Sequence, residues 1–299
     1  MRLFLTGATG FIGSRIAEEL KRGGHRVIGL ARSQASAERL LAAGIEVQRG
    51  TIDEPETLLP AVENADAVIH TAFDHDFSRF VANCEKDRQV INTLSHVLKG
   101  SARPLIITSG TGMGDPENGR PAAEVIFNRN HPNPRIASEL AGHAALENGV
   151  DLRVVRLPQV HDTRRQGLIS YYIQLCREKG AAAWIDAGTN CWSAAHVDDV
   201  ARLYCAVLEK GSRGERYHAV AEEAIPSKMI AETVAAEMGL PTLSLAKEEA
   251  DAWFGWFAAF AKLDLRASGI WTQEKLGWQP VGPGLLDDLR AMNYSEIAH

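Results

Sequence analysis

The chain opens with Arg2-Leu3-Phe4-Leu5-Thr6-Gly7-Ala8-Thr9-Gly10-Phe11-Ile12-Gly13, a short apolar run followed by glycines at three-residue intervals. Apolar positions then recur at helical spacing, so this stretch predicts a strand, a tight turn and a helix. In such a turn Gly7 permits the bend, Gly10 lets backbone N–H groups approach a pyrophosphate, and Gly13 lets helix and strand pack closely. The helix N-terminus adds unpaired donors and a positive dipole end. The stretch therefore predicts a dinucleotide-binding site.

Short apolar runs alternate with helical patterns along the first half of the chain. After the opening strand they lie at Val27–Leu30, Ile45–Val47, Ala67–His70, Leu105–Thr108 and Leu152–Leu157. This alternation predicts an α/β fold with a parallel sheet and right-handed helical crossovers. With the glycine turn, it indicates a Rossmann-type doubly wound parallel sheet.

The pattern changes after residue 157, where the sequence becomes irregular and richer in Trp, Gly and Pro. A helix at about Val197–Lys210 and a strand at Glu215–Val220 follow, and Ser227 is expected to cap a helix that ends at Gly239. We therefore predict a dinucleotide-binding domain over residues 1–160, with a return segment at about 190–220. Residues 161–189 and 221–299 are expected to form a smaller, partly interleaved C-terminal substrate-binding part.

The composition argues against several classes of protein. Of 299 residues 45% are hydrophobic and 23% charged, which is enough apolar material for a full core. A net charge of −6 without a basic stripe predicts no nucleic-acid partner. The first strand begins at Arg2, which leaves no room for a signal peptide, and the apolar stretch Ala252–Ala261 is too short to span a bilayer. We expect a cytoplasmic monomer or homodimer without a membrane partner.

The cysteines and histidines show no metal-site spacing. The four cysteines are scattered along the chain: Cys84, Cys176, Cys191 and Cys205. Without a Cys-x-x-Cys pair they are interpreted as reduced thiols, and we predict no bound metal. The aromatic segment Trp253–Phe260 is interpreted as core or as the wall of a substrate pocket.

Four segments resemble motifs of a known family. They are Thr6–Gly13, Ile69-His70-Thr71-Ala72, His196-Val197-Asp198-Asp199-Val200-Ala201 and Leu276-Gly277-Trp278-Gln279-Pro280. In this order they resemble the glycine fingerprint, the fourth-strand segment, the late His-Val-Asp-Asp-Val-Ala signature and the C-terminal Leu-Gly-Trp-x-Pro of the extended and atypical short-chain dehydrogenases/reductases. These are the NAD(P)-dependent epimerase/dehydratase-like proteins. The resemblance implies a nicotinamide cofactor along the carboxyl edge of the sheet, with a small substrate domain above it.

The resemblance also implies which residues hold the cofactor. They are Gly7, Thr9, Gly10, Phe11, Ile12, Gly13, Thr71, Ala72, Thr108 and Pro158. Thr51 stands where the family commonly has an adenine-binding Asp, so Ile52 and Asp53 are expected to border the adenine instead.

The end of the second strand discriminates between the two nicotinamide dinucleotides. In an NAD site an acidic residue there binds the ribose 2′-hydroxyl, whereas a cation meets the 2′-phosphate of NADP. Here Arg32 and Ser33 follow the strand, and no carboxylate does. Arginine grips phosphate in bidentate fashion, and serine adds a hydroxyl donor. The sequence therefore predicts NADP(H), although a solvated surface arginine is the structural alternative.

The reaction centre departs from the family. Ser109 aligns with the family's carbonyl-orienting hydroxyl, and Thr111 lies beside it. Relatives then carry Tyr-x-x-x-Lys on a helix, where the lysine lowers the tyrosine pKa from its unperturbed ~10. Aligning Ser138 with the serine before that lysine puts Arg135 at the tyrosine position and Glu139 at the lysine position. The usual proton relay is therefore absent, because arginine is a poor proton donor.

Several roles remain open for these residues. Arg135 would bind a developing oxyanion or a substrate carboxylate, and Glu139 would hold the ribose hydroxyls or favour a cationic substrate such as an iminium. Alternatively, Arg135 and Glu139 form an i,i+4 surface pair worth about 0.3–0.5 kcal/mol. His161 follows Pro158, where the family forms its nicotinamide pocket, so it is a candidate acid or a structural histidine.

Together these features predict an NADP(H)-dependent oxidoreductase of the atypical short-chain type. Its expected substrate is a small or medium organic molecule, most readily a carbonyl compound, with an imine or an activated alkene as further options. A redox-sensing NADP-binding regulator without catalysis is one alternative. A sugar-nucleotide epimerase or dehydratase is another, and it suffers most from the missing relay.

Overall fold

The computed structural model describes residues 1–296 and has a seven-stranded sheet at its centre. Its strands are β1 (Arg2–Thr6), β2 (Arg26–Ala31), β3 (Glu46–Arg49), β4 (Ala67–His70), β5 (Pro104–Gly110), β6 (Asp151–Leu157) and, later in the chain, β10 (Arg216–His218). They lie in the order β3-β2-β1-β4-β5-β6-β10, and neighbouring strands pair in parallel. The predicted doubly wound parallel sheet is therefore confirmed.

Helices cover both faces of this sheet and build the smaller part of the chain. They are α1 (Phe11–Arg22), α2 (Gln34–Ala42), α3 (Leu59–Glu63), α4 (Phe80–Leu98), α5 (Ile136–Glu147), α6 (Leu168–Lys179), α7 (Val197–Lys210), α8 (Ser227–Met238), α9 (Ala250–Phe254), α10 (Ala258–Ala261), α11 (Ile270–Leu276) and α12 (Leu285–Ala291). Because both faces are covered, the central strands are continuous apolar runs rather than alternating ones. Strand β4, for example, is buried along its whole length.

Two smaller sheets belong to the second part of the chain. Their strands are β7 (Gln159–His161), β8 (Ala182–Ile185), β9 (Cys191–His196), β11 (Glu222–Pro226) and β12 (Thr242–Leu245). Strand β9 pairs in parallel with β7 and antiparallel with β11, and β12 pairs in parallel with β8. Between these strands the chain returns to the large unit, where α7 packs on α1 and β10 extends the central sheet. Among residues 1–296, no helix is long and apolar enough to cross a membrane.

The predicted N-cap of α8 was wrong, and α5 begins later than its preceding turn. Helix α8 begins with Ser227, but the Ser227 hydroxyl donates to Asn190 Oδ1 at 2.6 Å and does not cap the helix. Asn133 accepts a hydrogen bond from the Arg135 backbone N–H at 2.9 Å, and the helix itself starts only at Ile136. Arg135 therefore occupies the N-cap position of α5, which turns its side chain toward the sheet edge rather than along a helix face.

Candidate functional site

A cleft of about 860 Å³ lies over the carboxyl ends of the central strands. The segments that follow β1, β2, β4 and β6 line it, together with the end of β5. The strand order reverses between β1 and β4, and this switch point is where a doubly wound sheet binds its ligand. The far wall comes from α6, β9 and residues 260–265 of the smaller part.

The glycine turn has the geometry that a pyrophosphate requires. Gly7 lies at φ +72°, a left-handed conformation that favours glycine, and its carbonyl accepts from Gly10 N at 2.8 Å. A Cβ at Gly13 would collide with the Gly7 carbonyl. No side chain caps the start of α1 and no acid lies in its first turn, so its N–H groups remain available to an anion. This cradle fits a dinucleotide.

The adenosine end of the cleft carries two arginines. Arg32 follows β2, Arg39 lies on α2, and both are exposed and line the cleft. Neither guanidinium makes a hydrogen bond or an ion pair with any residue of the range 1–296. Ser36 of α2 lines the same corner. Arg32 was predicted from the sequence, whereas Ser36 and Arg39 were not; these two lie three residues apart on α2 and therefore share one face of that helix.

Ser33 does not have its expected position. Its hydroxyl caps α2 by accepting from the Ser36 backbone N–H at 3.1 Å, and it does not line the cleft. The helix needs an N-cap at this point, and serine is among the residues that best supply one. Ser33 therefore shapes the start of α2 and does not face the cleft.

The segment after β3 borders the cleft as expected. Ile52 and Asp53 line it, and Asp53 pairs with Lys86 at 2.5 Å. Lys86 also contacts Asp74 at 3.2 Å. The hydrogen bond from Lys86 lowers the pKa of Asp53 below its ordinary value. The two cleft-lining carboxylates thus share one lysine as their ion-pair partner.

A series of buried hydrogen bonds connects the glycine turn with the part of the cleft formed by the end of β5 and by Arg135. We call this part the reaction end. Thr6 Oγ1 accepts from the backbone N–H groups of Thr71 and Ala72, each at 3.1 Å, and lies 2.7 Å from His70 Nδ1. Two accepted bonds use its lone pairs, so its single proton goes to His70 Nδ1. His70 therefore carries its own proton on Nε2, which donates to Asp87 Oδ1 at 2.9 Å. Geometry alone fixes this tautomer.

Asp87 connects this series of hydrogen bonds to Arg135. Its Oδ2 accepts from Arg135 Nη1 at 2.6 Å and from the Ser138 hydroxyl at 2.5 Å. Burial raises the pKa of Asp87, but the Arg135 charge and the His70 N–H outweigh it and hold the pKa far below the ordinary value. Asp87 is therefore a permanent carboxylate that fixes the orientation of Arg135. This carboxylate was not predicted from the sequence. Asp87 lies in the middle of a helix, and no local pattern indicates that it contacts a residue 48 positions away.

Arg135 reaches the cleft from the start of α5. Its Nη2 donates to the Thr108 carbonyl at 2.9 Å, and its guanidinium lies over the Phe73 ring at 4.2 Å. The Nε–H and the second Nη2–H have no partner among residues 1–296. Arginine has five such donors, so two remain for a ligand in the cleft.

Ser109 and Thr111 lie together beside Arg135 in the cleft wall, at the end of β5. Ser109 is buried, and its Oγ makes no hydrogen bond of good geometry within the described range, although Glu139 lies nearby. A buried hydroxyl without a partner at the edge of a cleft is a natural contact for a bound oxygen. Thr108, by contrast, already donates to the His70 carbonyl at 2.8 Å.

Glu139 does not lie in the cleft, which contradicts its expected contact with ribose. Both of its oxygens accept from the fully buried Arg156, at 2.7 and 2.8 Å, and Arg216 adds a third bond at 2.9 Å. Burial raises the pKa of Glu139, but these cations outweigh it and keep the carboxyl charged. The alternative surface pair with Arg135 is also wrong, because Arg135 binds Asp87 instead.

His161 is likewise not at the reaction end. It is fully buried, and its Nδ1–H donates to Asp288 Oδ2 at 2.7 Å. It does not line the cleft, so its expected role as an acid is wrong and the structural alternative holds.

The other predicted residues line the cleft: Gly7, Thr9, Gly10, Phe11, Ile12, Gly13, Thr71, Ala72, Thr108 and Pro158.

An aromatic cluster closes the end of the cleft that lies between the loop after β4 and the smaller part of the chain. We call this the substrate end. Phe77, in the loop after β4, stacks on Trp256 with centroids 5.3 Å apart, and meets Tyr171 and Phe260 edge-on. The segment Trp253–Phe260 thus contributes Phe260 to the cleft wall, while Phe254 and Phe257 are buried in the core of the smaller part. Arg165, which no sequence motif indicated, also lines the cleft and makes no ion pair within residues 1–296.

Comparisons with known proteins agree with this geometry. The model of a family described as the NAD dependent epimerase/dehydratase family matches residues 3–220. An uncharacterized protein of Schizosaccharomyces pombe is 41% identical over 98% of this chain and 100% of the relative. A sterol-4-alpha-carboxylate 3-dehydrogenase (decarboxylating) of Dictyostelium discoideum is 24% identical over 75% of this chain and 72% of its own. These relatives confirm the resemblance drawn from the sequence motifs.

A solved structure shows the same fold. The dTDP-glucose 4,6-dehydratase of Streptomyces venezuelae, determined with NAD bound, superimposes with a TM-score of 0.77 at 20% identity. The superposition covers 97% of this chain and 96% of that one. The α/β architecture therefore extends through the smaller part of the chain as well as the central sheet.

Proposed function

Because this chain belongs to the NAD dependent epimerase/dehydratase family, we propose that it is an NADP(H)-dependent oxidoreductase that reduces a small or medium organic carbonyl compound. The cleft over the switch point, with its bare helix N-terminus, supports the dinucleotide. We assign the substrate-binding part to residues 161–189 and 221–296, and we expect the protein to act in the cytoplasm.

The observation that carries the choice of NADP is the pair of free guanidiniums at the adenosine end. Arg32 and Arg39 both border the cleft without a partner among the residues that the structure describes, and Asp53, which also borders the cleft, is held by Lys86. Two unpaired arginines favour a phosphate dianion over a ribose hydroxyl, since guanidinium and phosphate form charge-assisted bidentate bonds. NAD carries an uncharged hydroxyl at the ribose 2′ position, where NADP carries the phosphate that the two arginines would bind.

The residues at the reaction end supply orientation and charge. A reduced nicotinamide in this cleft supplies a hydride, which is the cofactor's own chemistry. The Ser109 hydroxyl, which also has the Glu139 carboxylate as a neighbour, orients the substrate oxygen, and the two unused N–H groups of Arg135 stabilise the negative charge that develops on it. Arg135 does not release a proton, so water at the open mouth of the cleft supplies the final one.

Isothermal titration calorimetry with NADPH and NADH tests this proposal. We expect NADPH to bind roughly tenfold or more tightly than NADH, because each charge-assisted phosphate contact is worth about 1.5–3 kcal/mol. The variant Arg32→Ala/Arg39→Ala should lose this preference while keeping its affinity for NADH. The control Arg26→Ala removes an exposed arginine from the opposite end of the same strand and should change neither affinity. Equal affinities in the unmodified protein would overturn the assignment.

The missing phenol–lysine pair also favours a second candidate, a regulator that binds NADPH without turnover. NADPH consumption measured against aldehydes, ketones, quinones, imines and activated alkenes separates the two. Oxidation of NADPH with at least one carbonyl compound supports the reductase. Tight NADPH binding with no consumption across the panel supports the regulator.

A further inference from the structure

The substrate end combines a fixed positive charge with aromatic walls. This combination limits the kind of molecule that can accept the hydride, an inference that rests on the proposed function. Asp87 lies behind the cleft wall with 3% of its side chain exposed, whereas Arg135 is 15% exposed and lines the cleft. A ligand therefore meets the guanidinium and not its counter-ion. Because Asp87, Ser138 and the Thr108 carbonyl hold three of its N–H groups, the guanidinium cannot turn away.

Acidic groups are scarce at the same place. Tyr171 is the tyrosine that lines the cleft, whereas Tyr172, Tyr204 and Tyr217 are buried in the two cores. Desolvation by the cleft walls and the Arg135 charge both lower the pKa of His75, which favours the neutral imidazole. An acceptor whose oxygen must be protonated during hydride addition would depend on the Tyr171 phenol, whose ring packs edge-on against Phe77 and Trp256. One that leaves a delocalised oxyanion is served by Arg135 alone.

The charge at this end also disfavours a cationic acceptor. Asp53 and Asp74 are the carboxylates that line the cleft, and both contact Lys86. An iminium ion would therefore meet the exposed side of the Arg135 guanidinium, while the carboxylates that line the cleft already contact Lys86. The opposite charge meets no such penalty.

The walls favour a flat ring. Phe73, Phe77 and Phe260 line the substrate end, together with Trp192 on β9. Aromatic side chains bind planar rings through offset-stacked and edge-on contacts, which add about 0.5–1.5 kcal/mol per pair beyond area burial. The Phe77 ring already makes such contacts across the cleft with side chains of the smaller part.

We infer that this cleft takes a planar quinone, whose reduced form is a delocalised phenolate held by the two free N–H groups of Arg135. The quinone accepts one hydride, that is two electrons and a proton, from the reduced nicotinamide named above: the C–H bond that held the hydride breaks, an O–H bond forms at one carbonyl oxygen of the quinone, and the electron pair enters its conjugated ring. Its second oxygen becomes the oxyanion, and water protonates that oxygen after the product leaves Arg135. Atoms and charge then balance without an acid in the cleft wall.

Binding of three bicyclic probes tests this inference without turnover. They are the anion of 2-hydroxy-1,4-naphthoquinone, neutral 2-methoxy-1,4-naphthoquinone and the cation 1-methylquinolinium, titrated by calorimetry into protein saturated with NADP⁺ near neutral pH. We expect the anion to bind roughly tenfold more tightly than the neutral probe, because its oxyanion forms charge-assisted bonds with Arg135. The cation should bind most weakly. Equal affinities, or a preference for the cation, overturn the inference.

Variants identify the residues responsible. Arg135→Gln/Asp87→Asn removes both members of the buried pair, so neither charge is left unpaired. It should lose the preference for the anion and keep its affinity for the neutral probe. Arg135→Lys should keep the sign of the preference, and Phe77→Ala should weaken all three probes together. Arg129→Gln, at an exposed arginine outside the cleft, is the control and should behave like the unmodified protein.

Failure of this inference is distinguishable from failure of the proposed function. NADPH affinity is measured on the same samples, and it depends on Arg32 and Arg39 rather than on Arg135. A protein that binds NADPH tightly but does not discriminate among the three probes keeps its cofactor and loses the quinone. Retention of the anion preference in Arg135→Gln/Asp87→Asn also overturns the role of Arg135.

Discussion

The two ends of the cleft differ in what determines them. At the glycine turn the backbone determines the site, since N–H groups and the absence of Cβ atoms make the cradle. At the reaction end the side chains of Arg135, Ser109 and Phe77 determine it. A backbone site is almost the same in every protein that folds in this way, whereas a side-chain site changes with single substitutions. The chain therefore retains the family's cofactor cradle and has lost the family's proton relay.

The first way to break this comparison is to restore the family's lysine. In Glu139→Lys a third cation enters the buried space beside Arg156 and Arg216. We expect the free energy of unfolding to fall by about 3–5 kcal/mol, the usual cost of leaving buried charges uncompensated. Urea denaturation measures the loss, and Glu147→Lys, at a carboxylate with 64% exposure on the same helix, is the control. A stable Glu139→Lys protein would contradict the structural role given to Glu139.

The second prediction tests the cradle itself. Gly13→Ala puts a Cβ against the Gly7 carbonyl, so the turn must shift and its N–H groups lose their alignment. We expect affinity for NADPH to fall by roughly a hundredfold and stability by about 1–3 kcal/mol, as for other overpacked sites. Calorimetry and urea denaturation measure the two effects. Gly23→Ala, after the other end of α1 where a Cβ meets only ordinary contacts, should have little effect on either quantity.

The smallest effect concerns the carboxylate behind Arg135. The folded pKa of Asp87 is far below its unfolded value of about 3.9, so Asp87 contributes stability that is complete above that value and is lost as the pH falls below it. Below about pH 4 we expect the free energy of unfolding of both proteins to fall with pH. The slope should be steeper in the unmodified protein than in Arg135→Gln/Asp87→Asn, by up to about 1.4 kcal/mol per pH unit. Denaturation between roughly pH 5 and pH 2 measures this difference. Parallel curves for the two proteins would contradict the charged state assigned to Asp87.

The sequence predicted the fold and the cofactor cradle because both depend on local patterns. Apolar runs, glycine spacing and helical periodicity are properties of residues close together in the sequence. Helix α7, for example, has the bounds that its pattern predicted. Strand ends differed by at most two residues, as at β10, where tertiary pairing decides how far a strand extends.

The reaction end was harder to predict because its side chains depend on distant partners. Asp87 pairs with a residue 48 positions away, Glu139 with one 77 away, and His161 with one 127 away. A sequence shows that a charged residue is present but not which buried partner neutralises it. The alignment correctly placed Arg135 at the cleft, and it misplaced Glu139 because the fully buried Arg156 gave no local signal.

The ion-paired Glu139 has a consequence for how this chain can change. Arg156 also binds the backbone carbonyls of Ala123 and Ile126, at 3.2 and 2.8 Å, so the same guanidinium tethers the loop between β5 and α5. A mutational path back to a phenol–lysine enzyme would therefore pass through poorly folded intermediates, because changing either Glu139 or its two arginines first leaves a buried charge without its partners. The residue at position 139 is therefore constrained by the packing of the protein interior as well as by the chemistry of the cleft.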